Sequence, residues 1–356
     1  MRMVSLALAL IAVVAACGRP AAPQAHGASP TPLISPVAVT SPGPTPSQAP
    51  GPLPLSTVDF SCRLAVFVDR GQGPAGAFID FPSGTVTPDP AAAKVRPILH
   101  PGRELVDYFY VHYYDRANSR WLPVSRNDVS PDGSHYAYTD RAVGDPQNPP
   151  TRATLHVVAV KTGVDLAFDD GQWSSPYVIL DYAAEGIYLT TAYVGYGLWL
   201  MNPATGVVTQ VADRWDVQGS AGNRAFWVGA VNSSDQNPIT GLVPNEVDRL
   251  NLVDGSQVPW FYRPGSSVHF VNQDVAGHPI VIASTVNGPA ELLLVLAPGI
   301  SRSILTEGDK SPGIGSPIAD KHGIWFGGPD GIFLYSEANG LQKVSNQPGN
   351  PANGCF

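Results

Sequence analysis

Three observations predict an all-β chain built from repeated four-stranded units. First, 36 of the 356 residues are Gly and 36 are Pro, a density that favours short strands joined by turns over long helices. Second, turns ending in glycine recur through residues 58–356 in two alternating kinds. Third, turns of one kind return at a nearly constant interval.

The first kind of turn opens a β-branched or aromatic run. Asp132-Gly133 precedes His135-Tyr136-Ala137-Tyr138, and Glu185-Gly186 precedes Ile187-Tyr188-Leu189. Ala221-Gly222, Ala276-Gly277 and His322-Gly323 stand in the same place before Phe226-Trp227-Val228, Ile280-Val281-Ile282 and Ile324-Trp325-Phe326. The second kind closes another hairpin, at Gly163, Gly206, Gly255, Gly299 and Gly340, spaced 43, 49, 44 and 41 residues apart. Two hairpins make a four-stranded unit, and a period of about 40–50 residues is that of a propeller blade. Five units are therefore visible. The preceding stretch has one turn at Gly84 and another between Tyr113 and Trp121, which together supply one longer blade. The expectation is a six-bladed β-propeller. Counting the Gly84 turn as a separate blade gives seven, but residues 90–107 are short and proline-broken, a poor source of two more strands.

Charge narrows the function. Charged residues make up 14% and the net charge is −8, whereas nucleic-acid binding needs clustered Lys and Arg. A hydrophobic share of 44% excludes wholesale disorder.

The N-terminus reads as an export signal. Arg2 is followed by a small-apolar run from Val4 to Ala16, too short for a membrane-spanning helix, which needs about 20 residues, but suited to a signal peptide. The run ends Val14-Ala15-Ala16-Cys17, which resembles the lipobox of bacterial lipoproteins. That resemblance implies a signal peptide at residues 1–16, cleavage before Cys17, diacylglycerol on its thiol and a lipid anchor in a bacterial membrane. The alternative is an ordinary secretory signal with an incidental cysteine. Residues 17–57 then form a linker rich in Pro, Ala, Ser and Thr, with Arg19 its only charge. At ~3 Å per residue such a tether reaches roughly 100 Å.

One blade carries a fuller motif. Val129-Ser130-Pro131-Asp132-Gly133-Ser134-His135-Tyr136-Ala137-Tyr138 resembles the Ser-Pro-Asp-Gly element of TolB-like and WD40-like propellers. The resemblance implies the fold. It does not imply an activity, because propellers host many unrelated ones.

With Cys17 lipidated, Cys62 and Cys355 remain. They bracket the repeat region, and in a ring the first and last blades are neighbours, so a disulfide is expected in an oxidising compartment. Two free thiols or a zinc pair are the other readings.

No phosphate loop, zinc-protease motif, nucleophile elbow or EF-hand is legible, so no catalytic residue, metal ligand or cofactor is assigned. Asp132, Asp181, Asp274 and Asp320 read as turn caps. His135, His278 and His322 each lie beside a turn of the first kind. Trp199, Trp227 and Trp325 read as core. In an antiparallel blade the two tight turns share one face of the ring, and the longer connections share the other. Long loops on a rigid scaffold usually carry binding. Here they run through residues 142–151, 193–197 and 232–245, and offer Tyr193, Tyr196, Asn148, Asp235 and Asn237 as ligand-binding candidates. The expected function is a membrane-tethered extracytoplasmic binding or scaffold module for a protein, peptide or glycan. The alternative is an exported carbohydrate hydrolase or lyase using long-loop carboxylates, among them Asp145, Asp235 and Glu246.

Overall fold

In a computed structural model, the described residues are 53–69, 74–95, 113–141, 153–169, 177–191, 197–214, 216–232, 234–235, 243–285, 288–306 and 317–356. The expected signal peptide, Cys17 and nearly all of the expected linker lie outside them. Among them the chain is strands and turns, with two single-turn 3₁₀ segments at Ala92–Lys94 and Arg126–Asp128.

Strands β1 (Cys62–Asp69), β2 (Pro74–Phe81) and β3 (Thr85–Asp89) form an antiparallel meander. A short hairpin follows, β4 (Tyr113–Asp115) and β5 (Arg120–Leu122). The second blade is β6 (His135–Arg141), β7 (Ala153–Ala159) and β8 (Asp165–Asp169), with Val129 bridging to Tyr136 as its inner edge. The third is β9 (Tyr177–Ala183), β10 (Gly186–Thr191), β11 (Leu198–Met201) and β12 (Val208–Ala212). The fourth is β13 (Val217–Gly222), β14 (Ala225–Ala230), β15 (Glu246–Asn251) and β16 (Gln257–Tyr262). The fifth is β17 (Ser266–Gln273), β18 (Pro279–Thr285), β19 (Ala290–Ala297) and β20 (Ile300–Thr306). The sixth is β21 (Ile318–Asp320), β22 (Gly323–Gly328), β23 (Gly331–Ser336) and β24 (Gly340–Ser345). Finally β25 (Asn350–Pro351) returns to pair with β1, which makes the first blade four-stranded in the order β25-β1-β2-β3.

Six sheets of three or four strands thus form a six-bladed β-propeller, and the hydrophobic clusters trace the ring. Leu155 and Val157 of blade two pack with Ile187 and Leu189 of blade three. Tyr188 and Leu198 then meet Val217 and Phe226 of blade four. Trp227 and Val247 meet Val281 and Leu293 of blade five, and Ile280 and Leu294 meet Phe326 and Phe333 of blade six. Trp325 and Leu334 close onto Leu64, Val66 and Ile79 of blade one. Trp227 is 1% exposed and Trp325 is fully buried, as core tryptophans.

The turn chemistry has a direct cause. Gly163, Gly206, Gly255, Gly299 and Gly340 all have φ between 66° and 73°, the left-handed region that only glycine enters freely. The turn at Gly222 differs. Its left-handed residues continue through Asn223 and Arg224, at φ 50° and 58°.

The first blade departs from expectation. The Gly84 hairpin and the 113–121 hairpin do not share one sheet: the former lies in blade one, and β4-β5 stands alone. The reason is that the inner strand of blade one comes from β25, so its sheet is complete without β4. The hairpin instead fills a wedge in the ring. Trp121 packs on Ala65, Phe67 and Ala92 of blade one, while Tyr113 and Leu122 pack with Val129 and Val160 of blade two.

The expected disulfide is present, joining Cys62 and Cys355 with Cα atoms 5.6 Å apart. Nearby, Asp320 Oδ2 accepts from Cys355 N at 2.6 Å and Trp325 Nε1 at 2.8 Å, and the Phe60 ring stacks on His322 at 3.8 Å. In the chain-entropy description, closing so long a loop stabilises the fold by up to about 5–6 kcal/mol. Replacing Cys62 and Cys355 together by Ser is expected to lower the melting temperature by roughly 10 °C. Scanning calorimetry checks this, and an unchanged transition would assign closure to β25 alone.

Candidate functional site

The tight turns gather at one end of the ring, where Leu252 N donates to Arg224 O across two turns of blade four. The longer connections leave from the other end. Of the ligand-binding candidates, Tyr193, Tyr196, Asn148 and Asn237 lie outside the described residues, and Asp235 lies within them. Asp235 Oδ2 accepts from Asn245 Nδ2 at 2.9 Å and from Gly265 N at 2.8 Å. It thereby fastens the 232–245 connection to the start of blade five.

The same stem continues inward. Asn232 N donates to Asn245 Oδ1 at 2.7 Å, and Asn232 Nδ2 donates to Glu246 Oε2 at 2.6 Å. Asn245 is fully buried, its N–H donating to Ala230 O and its carbonyl accepting from Arg263 N. One connection further back, Thr190 Oγ1 donates to Gly197 O at 2.9 Å. Beside it the Trp199 indole N–H is buried without an acceptor among the described residues. A Cβ on Gly197 would come within 2.6 Å of that nitrogen, so the indole packs against Gly197.

Glu246 and Asp248 stand two residues apart on β15, facing the same side, and both are buried. Asp248 Oδ2 accepts from Gln257 Nε2 at 2.7 Å, while Oδ1 meets no donor. Burial lifts the Asp248 carboxyl to about 6, with Gln257 opposing and the hydrogen-bonded Glu246 carboxyl adding to the rise. Glycosidase pairs stand about 5 Å or more apart across an open cleft, whereas both of these carboxyls are buried on one strand.

At the tight-turn end lie two cavities that share Arg126 and Pro131 as walls. One, about 590 Å³, is bounded by the β4-β5 turn, the Ser130–Gly133 turn, Asn353 and Phe356. The other, about 1020 Å³, lies between blades three and four against Asp181, Tyr182, Glu185, Ser220 and Arg224. Asp181 differs from the turn cap expected of it. It sits on β9, where burial raises its carboxyl while Ser220 and Arg126 pull it down. The other three aspartates do cap turns: Asp132 accepts from Ser134 N, Asp274 from Ala276 N, and Asp320 from His322 N. Hydrogen bonds from Ser130 and Ser134 hold Asp132 down at about 2.

The three turn histidines have separate local partners: His135 the hydroxyl of Ser134, His278 the carboxylate of Asp274, and His322 the ring of Phe60. Ser134 Oγ touches both Asp132 and His135 Nδ1. In that order the hydroxyl stands in the middle, whereas acyl transfer needs the imidazole there. Sequence reasoning missed the Glu246-Asp248 pair and the shared wall at Arg126. The alternating polar residues of Glu246-Val247-Asp248 were a signal for the first. The second had none, because its walls come from six separate segments.

No protein-family model matches the chain, and no curated protein matches it. Among solved structures it is similar to TolB from Acinetobacter baumannii, at 13% identity and a TM-score of 0.47, covering 84% of this chain and 67% of that one. An oligogalacturonate lyase in complex with manganese is similar at 11% identity and 0.46, over 79% and 86% of the two chains. A periplasmic gluconolactonase of Pseudomonas aeruginosa is similar at 12% identity and 0.37, over 81% and 83%. Likeness at this level says nothing of ligand or reaction.

The acid pair yields a signed pH dependence. Its proton affinity is higher folded than unfolded, so the stabilisation is present at low pH and lost as pH rises through about 6. Asp248→Asn supplies a permanent donor toward Glu246. It is expected to raise stability at both pH 5 and pH 8, and by about 1 kcal/mol more at pH 8. Urea unfolding at the two pH values checks the difference.

Proposed function

We propose that the chain is a lipid-tethered extracytoplasmic binding propeller, which presents its long-connection end to a protein, peptide or glycan. The observation that carries the reading is the polar stem beneath the 232–245 connection. Asn232, Asn245, Asp235 and Glu246 fix it with bonds of 2.6–2.9 Å. A rigid base of this kind lets a connection hold a recognition shape without the entropy loss of ordering it on binding. The Trp199 N–H beside Gly197, without an acceptor among the described residues, adds a donor at the same end. The Cys62–Cys355 disulfide agrees with an oxidising compartment outside the cytoplasm. The Val14-Ala15-Ala16-Cys17 sequence supports anchoring through Cys17, and the Pro-rich residues after it support a tether to the membrane.

Two measurements test the reading. Metabolic labelling with a fatty acid is expected to mark the wild-type chain and to be lost in Cys17→Ser; persistent labelling of that variant would refute the anchor. For the binding end, partners captured from an envelope extract by the wild-type domain are titrated against Tyr193→Ala/Tyr196→Ala. Hot-spot aromatics lose about 2 kcal/mol or more on truncation, so affinity is expected to fall at least about thirty-fold with the melting temperature unchanged. Equal affinity would place the site elsewhere.

A further inference from the structure

The smaller cavity at the tight-turn end has two guanidinium groups in its wall, each placed over an aromatic ring. Arg116 Cζ lies 4.7 Å from the centroid of Phe356, and Phe356 is itself stacked on Tyr114 at 5.9 Å and 10°. Arg126 Cζ lies 5.7 Å from the Tyr113 ring, and its Nη1 donates to Val129 O at 3.3 Å. A ring beneath a guanidinium leaves the remaining N–H groups to take an oxyanion, for which the planar fork is suited.

The acids in the same wall are already engaged. Asp115 accepts from Ala117 N at 3.0 Å and Asn118 Nδ2 at 2.6 Å. Asp132 is held by Ser130 Oγ and by the N–H and hydroxyl of Ser134. Neither Arg116 nor Arg126 is within ion-pair distance of a carboxylate among the described residues. The acid that acts on Arg126 is Asp181, in the neighbouring cavity, and its carboxyl is lifted by burial. Two positive forks therefore face a space whose negative groups are spent on turns. Ala117, Val129 and Pro131 supply an apolar lining, and about 590 Å³ is the size of a small-molecule site.

We propose that this cavity binds a small organic carboxylate, whose oxygens are taken by the N–H edges of Arg116 and Arg126 and whose carbon skeleton lies against Ala117, Val129 and Pro131. The site is at the opposite end of the ring from the long connections, so its failure would leave the binding propeller proposed above intact.

Benzoate, its neutral isostere benzamide and inorganic phosphate are the probes, titrated into the ¹⁵N-labelled domain and followed by backbone amide shifts. Saturable shifts are expected with benzoate at residues 116–119, 132 and 133. Arg116→Gln and Arg126→Gln are each expected to weaken benzoate at least about ten-fold, the loss of a charge-assisted hydrogen bond. Arg116 donates no hydrogen bond within the described domain, so Arg116→Gln decides the matter even where Arg126→Gln does not fold. Equal shifts with benzamide would overturn the proposal by showing that charge plays no part. Phosphate binding as tightly as benzoate would overturn it by showing that the apolar lining plays none. Undiminished benzoate affinity in Arg116→Gln would do so directly.

Discussion

A ring of sheets made from one chain has a seam where its two ends meet, and an open seam exposes unpaired strand edges. In five blades a tight turn joins the inner strand to the next. In blade one the inner strand arrives from the far end of the chain, so no turn can make that connection. Pairing of Val66 with Pro351 and Phe67 with Asn350 begins the closure, Ala352 N donates to Ala65 O, and Phe356 and Arg63 exchange both backbone bonds. The Cys62–Cys355 disulfide then stands where the turn would be. Asp320 couples this seam to blade six by accepting from Cys355 N with the same oxygen that holds the Trp325 indole. Each core cluster lies between two ring neighbours, so loosening the seam releases every interface from its circular constraint.

How much of this was legible follows from what kind of residue each feature needs. The turn rhythm was readable because φ near +70° nearly demands glycine, and a four-stranded unit needs two such turns per period. The disulfide was readable because a ring makes distant residues adjacent. The strand β25 was not, since two residues, Asn350 and Pro351, carry no alternation pattern. With β25 unseen, the Gly84 hairpin and β4-β5 were assigned to one blade. Asp181 misled for a related reason: an aspartate four residues before a turn pair looks like a cap, and only a sheet register shows that it faces Ser220 across blades.

The β4-β5 wedge has consequences beyond filling space. Asn118 Nδ2 donates to Gly133 O, Arg120 donates to Val160 O, and Tyr114 N donates to Ala352 O. A hairpin of two three-residue strands is not stable alone. It is held by blade two on one side and by the returning C-terminal segment on the other. That placement sets Arg116 beside Phe356, two residues 240 positions apart in sequence, and makes the smaller cavity a product of ring closure. The residues that close the ring are thus the ones that shape its tight-turn end.

The opposite end is built differently. The buried polar residues are Asp115, Ser130, Thr190, Asn245, Glu246, Asp248, Ser266 and Ser345. Thr190, Asn245, Glu246 and Ser266 sit where strands of blades three to five meet the longer connections, and Asp248 is one pleat further in. Apolar side chains here would stabilise the domain at least as well, because buried charge costs desolvation. What polar groups add is direction. A hydrogen bond from Asn232 to Glu246 fixes where the 232–245 connection leaves the sheet, which leucine packing would leave loose. The cost falls on Asp248, whose carboxyl is lifted to about 6 by burial and by Glu246. Loss of its proton places two like charges under the connection they position. The loop end is consequently the part of the ring where stability has been exchanged for geometry.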